Sequence, residues 1–222
     1  GRLPDSQVAV RFIENEKYYD RRGLYVDPED GDDYRDNSAR FIFFCRAVLE
    51  ACRSLDPTPD VFHCHDWQSG LLPIYLRHLY SNCFKYARSI FILHNVAYQG
   101  VFPGEDMYLT GLPGEFFTPD KLEYYGNVSF LKAGLVGADL LTTVSKQYAQ
   151  EIQTEDFGKG MEGILKNRDD DLYGIVNGVD YRIWNPETDP HLPCGYEPED
   201  MSGKAICKKS LQKEFGLPET AG

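Results

Sequence analysis

Basic residues are in short supply in this sequence: 23 Lys and Arg stand against 35 Asp and Glu, a formal net charge of −12. Nucleic acid is therefore not an expected partner, because phosphate recognition needs a basic footprint. Runs of about 18 apolar residues are missing, so no segment reads as spanning a membrane, and no signal-peptide pattern opens the chain. The six cysteines (Cys45, Cys52, Cys64, Cys83, Cys194, Cys207) contain no Cys-x-x-Cys pair, which leaves zinc and thioredoxin-like motifs without support. They read as reduced, buried thiols of a reducing compartment, the cytoplasm. No Gly-x-Ser-x-Gly elbow occurs, so serine hydrolysis has no basis. Phe157-Gly158-Lys159-Gly160 lacks P-loop spacing and reads as an ordinary loop before a short helix, 161–166.

What is abundant is tyrosine. The 222 residues hold 15 Tyr and 13 Phe but only 2 Trp. A phenol ring offers a sugar both an apolar face and a hydroxyl, although half-buried packing uses tyrosine equally well.

The most informative stretch is 61–100. Val61-Phe62-His63-Cys64-His65-Asp66-Trp67 and Ile90-Phe91-Ile92-Leu93-His94-Asn95 are short apolar runs that end in polar, ionisable residues. Between them, Leu72, Tyr75, Leu76 and Leu79 fall at helical spacing over 68–80. Strand, helix and strand at this separation make a βαβ unit with parallel neighbouring strands. Ligands of such sheets sit beyond the carboxyl ends of the strands. Asp66 and His94 both fall there, so one carboxylate and one imidazole are expected to border a common crevice.

Elsewhere the patterns are as follows. Val8, Val10 and Phe12 alternate with their neighbours over 7–13, the signature of a strand. Residues 14–37 read as a long loop with a solvated acidic run, 29–36. Asp36, Asn37 or Ser38 can cap a helix reaching about Leu55. Residues 100–125 are rich in Gly and Pro and read as irregular. A helix over 128–136, a strand over 139–144 and a Ser145-capped helix through Ile152 follow. Leu172 to Val176 is the next strand. Ser202 caps a last helix with Cys207, Leu211 and Phe215 inward. The alternation defines an α/β class with a mainly parallel, doubly wound sheet. A first strand with its Gly-rich turn is not visible before Val8, and the chain opens at Gly1 rather than Met, which suggests an amino end cut short.

Single residues carry bland readings too. His63-Cys64-His65-Asp66 resembles a metal cluster, but only His63 and His65 share a strand face, and no second ligand group supports one, so no metal is expected. Asp66 could merely cap the following helix, and His94 could be a satisfied core histidine. Their joint position at adjacent strand ends favours a site. Tyr98 and Gln99, beside His94, suit a hydroxyl-rich ligand.

Read as strings, several segments resemble the bacterial glycogen synthase and plant starch synthase family. They include Tyr18-Tyr19-Asp20-Arg21 to Tyr25, Asp33-Tyr34-Arg35-Asp36-Asn37, His65-Asp66-Trp67 and His94-Asn95-Val96-Ala97-Tyr98-Gln99-Gly100. Asn127 to Gly134, Thr142 to Ser145, Gly158 to Gly163 and Ile175 to Pro186 follow in family order. The resemblance implies a retaining glucosyltransferase of two Rossmann-like domains, the GT-B architecture, truncated here at both ends. Residues 1–200 would form the acceptor-side domain, and 201–222 a helix and linker toward an absent carboxyl-terminal domain.

The donor would be ADP-glucose and the acceptor an α-1,4-glucan, with no cofactor. His94 and Asp66 would be catalytic, and Tyr25, Asn95, Tyr98, Gln99 and Asn177 would bind substrate. The family's amino-terminal Lys-Thr-Gly-Gly-Leu loop is absent, as is the cationic clamp for the diphosphate, so the isolated chain is expected to be inactive. A glucan-binding module without chemistry, or a relative using another nucleotide sugar, remain alternatives.

Overall fold

The computed structural model describes residues 1–219. The chain divides into two compact units, Gly1–Val176 and the segment from Asn177 onward.

The first unit opens with α1 (Glu16–Tyr19) and α2 (Asn37–Arg53). Then come β1 (Val61–His65), α3 (Leu72–His78) and β2 (Arg88–Leu93). β3 (Val101–Pro103), β4 (Glu123–Tyr124) and β5 (Asn127–Ser129) precede α4 (Phe130–Gly137) and β6 (Leu140–Thr143). α5 (Lys146–Glu151), α6 (Glu155–Gly158), α7 (Glu162–Asn167) and β7 (Leu172–Gly174) complete it. Strands β1, β2, β6 and β7 form one all-parallel sheet in that order. This is the α/β arrangement expected from the alternation of strands and helices.

Apolar side chains decide which way the elements face. Phe62, Cys64, Phe91, Leu93 and Leu141 point from the sheet into the core, where Phe41, Cys45 and Leu49 of α2, Leu72, Tyr75 and Leu76 of α3, and Phe130, Leu131 and Leu135 of α4 meet them. A Cβ at Gly134 would run into the Phe91 ring, so glycine there lets α4 lie flat on β2. Burial pushes the thiol of Cys64 up to about 12 and that of Cys45 higher still, so both behave as small apolar side chains.

Several local expectations give way. Residues 7–13 form no strand: only an Arg2–Ala9 bridge is present, and Val8 and Phe12 are exposed. Residues 1–3 lie alongside 8–10, but the pairing is too short to make a ladder. The helix expected over 68–80 begins as a 3-10 turn, Trp67–Ser69, before α3 proper. Asn127–Ser129 is extended, and α4 starts one residue after Ser129, whose hydroxyl caps it by accepting the Lys132 N–H. The stretch expected to be irregular supplies β3 and β4 of a second, antiparallel sheet of order β3-β5-β4. Its strands have two or three residues each, too short to show a period. Lys132 is buried, and its ammonium donates to the Pro119 and Glu123 carbonyls, both at 2.5 Å, pinning that stretch to α4. Burial lowers its pKa.

Asp36 occupies the N-cap position of α2 without a capping bond. Its carboxylate instead pairs with both guanidinium nitrogens of Arg21 at 2.6 Å, which holds its pKa below the usual range. Residues 155–158 are a helical turn rather than loop. In the second unit, α8 (Ser202–Glu214) forms as expected, with Met201 rather than Ser202 at its N-cap position. Cys207 is half-buried and donates to the Cys194 carbonyl, but Leu211 and Phe215 are exposed, because this small unit offers them no apolar cover.

The amino end of the sheet is fastened by Asp139. Its carboxylate accepts from Arg77 at 2.5 and 2.6 Å, from the Ser89 N–H at 2.8 Å and from the Ser89 hydroxyl at 2.9 Å. Burial alone would raise its pKa, and these donors outweigh that and lower it. A depressed folded value means that the stabilisation is complete above the ordinary 3.8 and is lost as pH falls through the lower value. Asp139→Asn is expected to cost roughly 1.5–3 kcal/mol at neutral pH. The gap to the parent should close in acid, below about pH 4. Denaturant titrations at both pH values check this, and a gap that widens in acid contradicts it.

Candidate active site

β1 and β2 pair with His65 opposite Ile92, so the residues that follow, Asp66 and His94, emerge side by side at the carboxyl end of the sheet. Asp66 N–H donates to the Ile92 carbonyl at 3.0 Å, and Asp66 Oδ1 accepts the His94 N–H at 2.9 Å. The carboxylate therefore does not cap the following turn, where no side-chain capping bond exists. Asp66 adopts φ 54° and ψ −175°, a conformation that costs a non-glycine residue about 1–3 kcal/mol. A hydrogen bond to an ionised acceptor is worth about 1.5–3 kcal/mol, so the carboxylate bond is large enough to hold the strained turn.

Around this pair lies a cleft of about 730 Å³. Tyr25, Asp33, Asp66, Trp67, His94, Asn95, Tyr98, Gln99 and Phe102 are among the residues that line it. Of the seven site residues expected from the sequence, Asp66, His94, Tyr25, Asn95, Tyr98 and Gln99 are brought together here. Asn177 opens the second unit. Each takes its place for a local reason. Tyr25 is held by a short hairpin whose Val26 and Asp33 pair, and its ring leans on Phe41 and Trp67 with centroids 5.9 and 5.8 Å away. Asn95 Oδ1 accepts the Ala97 N–H at 3.0 Å, forming a tight Asx turn. Tyr98 is exposed at the rim. Gln99 spends its amide inside the protein, donating to the Lys159 carbonyl at 2.8 Å, which Tyr124 also reaches at 3.2 Å.

The loop between β2 and β3 is tied down by α4. The first-turn N–H groups of Phe130 and Leu131 donate to the carbonyls of Gly100 and Gln99, both at 3.0 Å. These are helix-end donors that would otherwise lack partners. Gly100 has φ 54°, and a Cβ there would strike the indole of Trp67. Close backbone approach and a left-handed conformation both require glycine at this point.

Sequence reasoning missed Trp67, Phe102, Asp33 and His65 as parts of the site. Trp67 is buried, and its ring packs edge-on against Phe41 and at a tilt against Phe102. His65 Nδ1 lies 3.0 Å from His94 Nε2. The spacing of His63, His65 and Asp66 was a signal, read there as a possible metal cluster. Among the described residues, no group of three His, Cys, Asp or Glu side chains is placed to hold a metal. Burial, then His63 and His94, lower the His65 pKa.

A parallel α/β sheet with a polar cleft at its carboxyl end is thus the class of structure present. Residues 1–167 match the starch synthase catalytic domain, and the chain belongs to that family. It is 49% identical over 215 residues to a glycogen synthase of Koribacter versatilis, covering 96% of this chain and 44% of the relative. It is 46% identical over 221 residues to glycogen synthase 1 of Geobacter sulfurreducens, covering 99% and 44%. Among solved structures it resembles the catalytic domain of starch synthase IV from Arabidopsis thaliana bound to ADP and acarbose, with a TM-score of 0.67 and 32% identity over 88% of this chain and 41% of that one. The chain spans less than half the length of the curated relatives it matches.

Gly100→Ala is expected to cost about 2–4 kcal/mol, from left-handed strain and overpacking against Trp67. In a Trp184→Phe background, denaturation followed by Trp67 fluorescence reads this directly. An unchanged midpoint and spectrum would show that the loop does not depend on the glycine.

Proposed function

We propose that this chain is the acceptor-side part of a glycogen or starch synthase, a retaining glucosyltransferase that moves glucose from ADP-glucose to the 4-hydroxyl at the non-reducing end of an α-1,4-glucan. The observation that carries the reading is the convergence of Asp66 and His94 at adjacent parallel strand ends, on a cleft walled by tyrosine and tryptophan. Family membership supports it, as does the starch synthase IV neighbour with its ADP and acarbose. Residues 1–200 are read as the acceptor-side domain and the remainder as the lead into the second domain. Absence of a long apolar helix among the described residues and six free cysteines suit a cytoplasmic enzyme.

The chemistry follows from charge. The bond between C1 of glucose and the diphosphate oxygen breaks, leaving oxocarbenium-like positive charge on the ring. The bond from C1 to the acceptor O4 forms on the same face, and the acceptor proton passes to the departing diphosphate. Fixed acceptors stabilise that charge without reorganising. Asp66 supplies one: Oδ1 is held by the His94 N–H, while Oδ2 has no protein donor among the described residues. The backbone carbonyl and ring of His94 supply others. Tyr25, Asn95, Tyr98 and Gln99 would fix the sugar hydroxyls so that the reacting carbon stays aligned, and Asn177 is read as a further substrate-binding residue.

A second reading, a glucan-binding surface without chemistry, draws on the exposure of Tyr98, Tyr108 and Tyr125. Titrating maltooligosaccharide while following tyrosine chemical shifts addresses it. For the enzymatic reading, His94→Ala in the full-length enzyme should lower turnover roughly 100- to 1,000-fold with the fold intact by circular dichroism. A normal rate would remove His94 from the reaction. The isolated chain should not elongate glucan from ADP-glucose, and comparison with UDP-glucose in the full-length enzyme identifies the donor.

A further inference from the structure

Two consecutive residues at the end of β1 hold His94, one through its main chain and one through its ring. Asp66 Oδ1 accepts the backbone N–H at 2.9 Å. His65 Nδ1 stands 3.0 Å from His94 Nε2, with the two rings 19° from parallel. In a regular strand, residues 65 and 66 would point to opposite faces. The left-handed φ of Asp66 breaks that alternation and turns its carboxylate back over the strand end. His65 is itself steadied. The ring of His63 lies on one side with centroids 4.6 Å apart, and the His65 carbonyl accepts the hydroxyl of buried Ser69 at 2.8 Å.

Only one proton fits between two ring nitrogens at this distance. In the neutral pair it has two arrangements. If His65 Nδ1–H donates, both rings are Nδ1–H tautomers. If His94 Nε2–H donates, both are Nε2–H tautomers, the form an unconstrained histidine side chain prefers. Among the described residues, neither ring has another hydrogen-bond partner to oppose that preference. Burial lowers the His65 pKa and so favours its neutral ring, which has a bare nitrogen to accept with.

We infer that His65 is a positioning residue for His94: it accepts the Nε2 proton, fixes the ring and its tautomer, and leaves His94 Nδ1 as a bare acceptor for a sugar hydroxyl. Without this partner the imidazole can flip and exchange tautomers, and half of its states present the wrong nitrogen. The catalytic consequence rests on the reading of His94 given above, whereas the tautomer does not.

The test uses the chain labelled with ¹⁵N-histidine, at about pH 8. Two-bond nitrogen–proton spectra should show a protonated Nε2 and an unprotonated Nδ1 on His94, and the same on His65. His65→Phe should average the two nitrogens of His94, and His65→Gln, whose amide oxygen can accept, should restore them. In the full-length enzyme, His65→Phe should lower kcat about tenfold with little change in KM for the donor, and His65→Gln should recover most of it. A parent spectrum with the proton on His94 Nδ1, or already averaged, overturns the inference whatever the kinetics. Unchanged kcat in His65→Phe overturns its catalytic part. A fully active His94→Ala enzyme would instead remove the functional reading and leave the tautomer assignment standing.

Discussion

The hydrogen bond from the His94 amide to the Asp66 carboxylate ties together the ends of two strands that secondary structure alone would leave free. Sheet pairing stops at the Asp66 N–H; beyond it the chain needs another reason to stay in register. The carboxylate provides one, and it does so from a backbone conformation that only a compensating contact can hold. The placement of Trp67 follows from that turn, and Tyr25 and Phe102 pack on its ring to make the aromatic wall of the cleft.

The two ends of the sheet divide their labour. At the amino end, Arg77, Ser89 and Asp139 form a closed, fully partnered network. At the carboxyl end, Asp66, His94 and Asn95 keep polar atoms facing a cleft. Parallel sheets commonly place ligands at that second end, and here the contrast in hydrogen-bond satisfaction makes the same division visible in particular side chains.

Much of this was legible in the sequence, and the losses have physical causes. β2 and β6 appear as dense apolar runs because both sides of these central parallel strands meet protein. The pairing of Asp66 with His94 followed from where the runs of β1 and β2 stop. What failed was short or dependent on contacts distant in sequence. β4 has two residues and cannot express a period. Val8 to Phe12 has the right alternation, but its pairing with residues 1–3 ends after one bridge. The contact of His65 with His94 follows the period of two, since His65 lies opposite Ile92, two residues before His94, but it needs the pairing register, which neither strand shows alone. Trp67 looked like part of a motif, but its function as a floor required Gly100, thirty-odd residues away, to bring backbone against its ring.

The carbonyls of Gln99 and Gly100 complete the first turn of α4. A helix whose opening bonds are made by the floor of a cleft cannot be separated from that floor without fraying. Any change in the shape of the cleft must then come from the hairpin carrying Tyr25 and from Tyr98 at the rim, while the base behaves as an anvil.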